Sequence, residues 1–167
     1  MPAQLEDLLN AVDQSAVSVA VRESLYIYPA LETMHAIGLG LLFGSILAFD
    51  LRVLGVHKAL PMQLLGRHLL PWVWVGFGIN AASGLLMFAS DAVKFSSNFA
   101  LQAKFMLLVL AGTNALIFEK RLHPVRTGGP SADKGKSSPG SAKLSAALSI
   151  VLWLAIITAG RMIAFVK

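Results

Sequence analysis

The chain has 167 residues, of which 56% are hydrophobic and only 14% charged, and its mean hydropathy is +0.68. Soluble domains carry about 25% charged residues, so the composition excludes an ordinary soluble protein and points to a membrane one. Cysteine is absent, which excludes disulfides, thiolate metal ligands and iron–sulfur clusters. The formal net charge of +5 is gathered mostly into two loops and reads as membrane topology, not as a nucleic-acid surface.

Residues 1–24 form an acidic tail with Glu6, Asp7, Asp13 and Glu23, the opposite of the basic start of a cleaved leader. Within it Leu5, Leu8, Leu9, Val12, Ala16 and Val19 recur at helical intervals. Two readings stand: an amphipathic helix lying on the membrane interface, or a short helix packed on the mouth of a bundle. Tyr26, Tyr28 and Pro29 then mark an interfacial helix start, and the first apolar span is expected over about 29–49.

Further spans are expected over about 69–90, 101–118 and 144–166, each long enough to cross a hydrocarbon core of about 30 Å. Pro71 is expected in the first turn of the second span, where its missing N–H costs nothing. Residues 123–142 are rich in Pro, Gly, Ser and Lys and read as a flexible linker. The fold class is therefore all-α, an integral membrane four-helix bundle occupying 25–167 behind an amphipathic N-terminal helix.

Arg52, Lys58 and Arg67 lie between the first two spans. Lys120, Arg121, Arg126, Lys134, Lys136 and Lys143 lie between the last two. The positive-inside rule puts both loops in the cytoplasm and both termini outside, in a bacterial inner membrane.

Against this apolar background the ionisable residues stand out, because a charge at membrane depth is costly and usually serves a site. At about 1.5 Å per residue, His35 lies about 22 Å above Asp50, Lys104 about 24 Å above Lys120 and Arg161 about 27 Å above Lys143. His35, Lys104 and Arg161, with Glu32 one turn before His35, are thus expected to converge in the outer half of the bundle. Asp91, Asn98 and Gln102 belong to the rim nearby.

Haem b suits this cluster. A helix-borne imidazole is a common axial ligand, and Lys104 and Arg161 would meet the propionates. Gly38, Gly40 and Gly44, with Gly76, Gly78 and Gly84 on the second span, would clear room for a flat macrocycle. The plain structural reading is that such glycines bring helices close together, that Lys104 and Arg161 snorkel to headgroups, and that Glu32 pairs with Arg161. Met34, Met87, Met106 and Met162 fall at a similar depth and offer copper as an alternative, although methionine is also an ordinary gap-filler. His68 is expected beside Trp72 and Trp74 at the inner headgroups. Asn80, Ser83, Thr113 and Asn114 are expected to hydrogen-bond between helices, and Asp50 to pair locally with Arg52.

The run Glu32-Thr-Met-His35-Ala-Ile-Gly38, followed by Gly44 and by Phe49-Asp50-Leu51-Arg52-Val-Leu-Gly55, resembles a family of uncharacterised bacterial four-span membrane proteins. Gly76-Phe-Gly-Ile-Asn80, Ser83-Gly84, Lys104-Phe-Met, Asn114 and Gly160-Arg161 extend that resemblance over nearly the whole chain. More distantly, His35 before a glycine-rich half-helix and Lys104 at the start of the third span look like the copper-resistance D type proteins and the membrane-bound haem-linked protoporphyrinogen oxidases. That likeness implies haem or porphyrin binding by His35 and Lys104. The third span carries Asn114 and Glu119 where those oxidases have a histidine, so it does not imply a bis-histidine site.

The function expected from these readings is electron transfer with a quinone or a redox partner protein, by a chain embedded in the lipid bilayer and possible as a homo-oligomer. The alternative is a non-enzymatic membrane protein, whether copper-handling, a small permease or an assembly subunit. In it the same residues would form a metal path or a structural ion pair.

Overall fold

A computed structural model describes residues 3–56, 58–126 and 140–166, and every regular element among them is a helix. The elements are α1 (Ala3–Asp13), α2 (Ala16–Glu23), α3 (Ile27–Leu54), α4 (Met62–Ala89), α5 (Ala92–Ser96), α6 (Phe99–Arg126) and α7 (Gly140–Met162). Four of them, α3, α4, α6 and α7, are long and apolar enough to cross a membrane. The chain is a multi-pass membrane protein.

These helices run longer than the apolar stretches that announce them. α4 begins at Met62, well before Leu69, because a helix leaving the hydrocarbon can continue through its polar flank. Pro71 therefore lies inside α4 and not in its first turn, which corrects the expectation above. It leaves one backbone carbonyl without its helical donor, a defect that membrane helices tolerate when local groups compensate. Positions 127–139 of the expected linker lie outside the described residues, whereas 123–126 belong to α6 and 140–142 to α7.

α3 is central. It packs along α4 on one side and along α7 on the other, while α6 packs chiefly on α7 and only touches α4. The closest approach is between α3 and α4, where two glycines face one another. A Cβ on Gly76 would stand 2.5 Å from the Leu42 nitrogen and 2.8 Å from the Gly38 oxygen. One on Gly38 would stand 2.9 Å from the Asn80 nitrogen. Only hydrogen fits there. On the other flank Leu152 and Ile156 of α7 pack with Ala111 of α6.

α3 ends on Gly55, whose φ of 110° is left-handed and natural to glycine. Its N–H reaches the carbonyls of Leu51 and Arg52, and the Val56 N–H also reaches Leu51, so the last carbonyls of the helix are satisfied.

The opposite end of the bundle is capped. The tail is two helices broken at Ser15, which caps the start of α2 by accepting from the Ser18 N–H. Ser18 donates its hydroxyl to the Ala89 carbonyl at 2.5 Å, and Arg22 donates to the Ser90 carbonyl at 3.0 Å. Those are end-of-helix carbonyls that α4 cannot satisfy itself. Asp13 accepts from the Ala92 N–H and pairs with Arg22. Of the two readings of the tail, α2 thus takes the packed one, while Leu8 of α1 and Val17 of α2 remain exposed.

Candidate functional site

His35 sits on α3 near the capped end, half-buried against α4. Its Nδ1 lies 3.0 Å from the Ser83 hydroxyl. That hydroxyl donates its own proton to the Ile79 carbonyl at 2.7 Å, as serine commonly does one turn back along a helix. With that proton on the carbonyl, Ser83 Oγ offers a lone pair to the imidazole, and Nδ1 is assigned as the protonated nitrogen. The network assigns the tautomer, and the lone pair of the neutral ring falls on Nε2.

Two further contacts hold His35 in place. Asn80 donates its side-chain amide to the His35 backbone carbonyl at 2.9 Å, tying α4 to α3 at the same level. Gly84 lies behind the ring: a Cβ there would come within 3.2 Å of His35 Cε1. The spacing of Asn80, Ser83 and Gly84 puts all three on one face of α4.

Lys104 completes the site from α6. Its charge is close enough to be felt at the His35 ring. Its aliphatic stem runs over Gly160 of α7, where a Cβ would meet Nζ at 3.4 Å and Cε at 3.6 Å. Four helices therefore contribute at this level: α3 the imidazole, α4 its orienting groups, α6 the cation and α7 the glycine beneath it.

Two other expected members, Arg161 and Glu32, do not pair with each other. Arg161 is exposed, and no ion pair joins it to Glu32 among the described residues. Glu32 is also exposed, and its charge is felt instead by Tyr28, one turn before it, together with that of Asp91. The space left by Gly38 is taken by the α4 backbone and by Ile79, not by room for a ligand. Gly40, Gly44 and Gly78 have open space within 4 Å of where a Cβ would stand.

Asn98, read as part of the rim, is a buried clamp. It caps α6 through the Leu101 N–H and donates to the Ile163 and Val166 carbonyls beyond α7. Asn114 does bond between helices, to the Ser145 carbonyl, but Thr113 bonds back to Val109 in its own helix. His68 is exposed and likewise turns to the Leu64 carbonyl one turn back.

Sequence reasoning counted Ser83 only as glue between helices and missed that it orients His35. It also missed Gly160. The available signal was a small-residue pair, Ser83-Gly84, inside an apolar span, and a glycine one residue before a charged one.

Fold and site together define a polytopic α-helical membrane protein with a polar site between its helices. Residues 20–166 match the model of a family of unknown function, DUF6644, and the chain belongs to that family. The match accords with the expected uncharacterised family and lends no support to a likeness with copper-resistance D type proteins or the oxidases. No curated protein and no solved structure matches the chain.

Proposed function

We propose that the capped end of the bundle holds a b-type haem through His35 Nε2 and serves electron transfer in a bacterial inner membrane. The observation that supports this reading is the hydrogen bond from His35 Nδ1 to Ser83. Metal-ligating histidines characteristically commit their second nitrogen to an acceptor, which sets the ring and leaves the other as ligand. Gly84 leaves the ring room, and Lys104 offers a cation to one propionate. When bound, the haem would supply one-electron chemistry; the chain's own residues would hold and orient it, and a quinone or redox protein would exchange the electron. Among the described histidines His35 would be its one ligand, since His68 lies towards the opposite end of α4.

Copper is less well served. Met34, Met106 and Met162 are exposed and Met87 is half-buried, and no methionine is among the groups that hold the His35 ring. A second reading has an observation of its own: Asn80 and Ser83 both bind His35, which makes that residue a clamp between α3 and α4. A non-enzymatic assembly subunit or small permease needs no more than that.

Haem titration separates the two. Ser83→Ala should weaken haem binding about 10–100-fold while the protein stays folded, as loss of such an orienting partner does. Under the clamp reading the same variant loses stability and binds no less haem than the wild type.

Orientation is tested independently. With both basic loops cytoplasmic, position 137 faces the cytoplasm and the capped end faces outward. The chain lacks cysteine, so Ser137→Cys is a unique thiol. It should resist an impermeant maleimide in intact cells and react after permeabilisation. Labelling in intact cells would reverse the topology.

A further inference from the structure

Asp50 lies near the far end of α3, about 22 Å along the helix from His35 at about 1.5 Å per residue, and belongs to no part of the site above. It is 4% exposed, and its Oδ2 has no hydrogen-bond partner among the described residues. The expected pairing with Arg52 does not form. Arg52 turns the other way, donating to the Leu60 carbonyl at 2.7 Å and the Lys58 carbonyl at 2.9 Å.

The surroundings of Asp50 offer it little. One turn on, Val53 packs with Ala142 and Ala146 of α7, walled by Phe49, Leu54, Met62 and Phe118. The polar group beside the carboxyl is the Ser149 hydroxyl of α7. Asn114 of α6 spends its amide on the Ser145 carbonyl. Of the charged residues on the packed helices, Lys143 of α7 and Arg67 of α4 form no ion pair with it among the described residues.

An ionised carboxylate so placed carries a penalty that helix packing does not offset, and a group in this position neutralises instead. A proton or a metal cation would do that. Hard divalent cations gather about six or more oxygens. Here one hydroxyl stands beside the carboxyl, and the Ser145 carbonyl is already engaged.

We propose that Asp50 is a proton-binding site, a carboxyl that takes a proton on Oδ2 from water and holds it while α7 is packed against α3. The bond formed is Oδ2–H and the bond broken is an O–H of hydronium, and release returns the proton to water. The site is separate from His35, and its failure leaves the haem reading untouched.

The test uses the full chain in detergent. Dicyclohexylcarbodiimide, an apolar reagent that activates protonated carboxyls, should form an adduct at Asp50 near neutral pH. The adduct should diminish as pH is raised and ignore added sodium, potassium or magnesium. Infrared spectra of protein carrying labelled aspartate should show the carbonyl band of a neutral acid, lost in Asp50→Asn. Protection of Asp50 by one of those cations at fixed pH would overturn the proposal in favour of a cation site. A purely carboxylate infrared signature at neutral pH would overturn it too, and decides the matter even where the reagent fails to reach the residue or Asp50→Asn fails to fold.

Discussion

Alanine at Gly76 should sharply destabilise the bundle, and leucine there should prevent α3 and α4 from assembling. The reason lies in what the new Cβ would meet: the Leu42 nitrogen at 2.5 Å and the Gly38 oxygen at 2.8 Å, both backbone atoms of α3. A side chain can swing aside, but a helix backbone must move as a whole. Overpacking costs about 1–3 kcal/mol where neighbours adjust, and Gly76→Ala belongs at the upper end or beyond. Separating the helices also loosens the Asn80 and Ser83 bonds to His35, each worth about 1 kcal/mol or less in a membrane. Gly78→Ala and Gly112→Ala are the controls, since a Cβ at either meets nothing within 4 Å. Unfolding in mixed detergent micelles should show a large loss for Gly76→Ala and little change for the controls. Equal midpoints for all three would contradict the close crossing.

His35→Ala should abolish haem binding while leaving a folded, inserted protein. Insertion is driven by four apolar helices, to which one half-buried imidazole adds little. What the substitution removes is the nitrogen that Ser83 orients, and no other described histidine stands at that level. Lys104→Ala should act differently, loosening the haem or shifting its potential without removing it, because an ammonium meets a propionate and not the metal. Absorbance and haem content per chain, measured on detergent-purified variants of equal thermal stability, check both outcomes. Haem retained at wild-type level in His35→Ala would show that the ligand lies elsewhere.

The four spans were legible because the hydrophobic signal is long and continuous, and lipid thickness imposes the length. Helix faces were much less so. At 3.6 residues per turn, positions two apart point in nearly opposite directions. Gly38 accordingly meets α4 while Gly40 faces open space, and Asp50 turns inward while Arg52 folds around the helix end. A continuous apolar run hides this distinction, since lipid-facing and helix-facing positions are equally hydrophobic.

Depth could be counted along each helix, which brought His35 and Lys104 to the same level correctly. Rotation could not be counted. Gly160, and not Arg161, therefore lies against Lys104, and Glu32 and Arg161 remain exposed. Ser83 was hidden for another reason: its role depends on a proton already committed to Ile79, which only the hydrogen-bond network reveals.

The central claim is that Nε2 of His35 holds a haem, and the visible spectrum of the wild-type protein tests it most directly. Purified from cells with ample haem supply, the protein should be coloured, with a Soret band and about one haem per chain. A colourless preparation that also fails to take up haem in titration would contradict the claim and leave His35 as a clamp between α3 and α4.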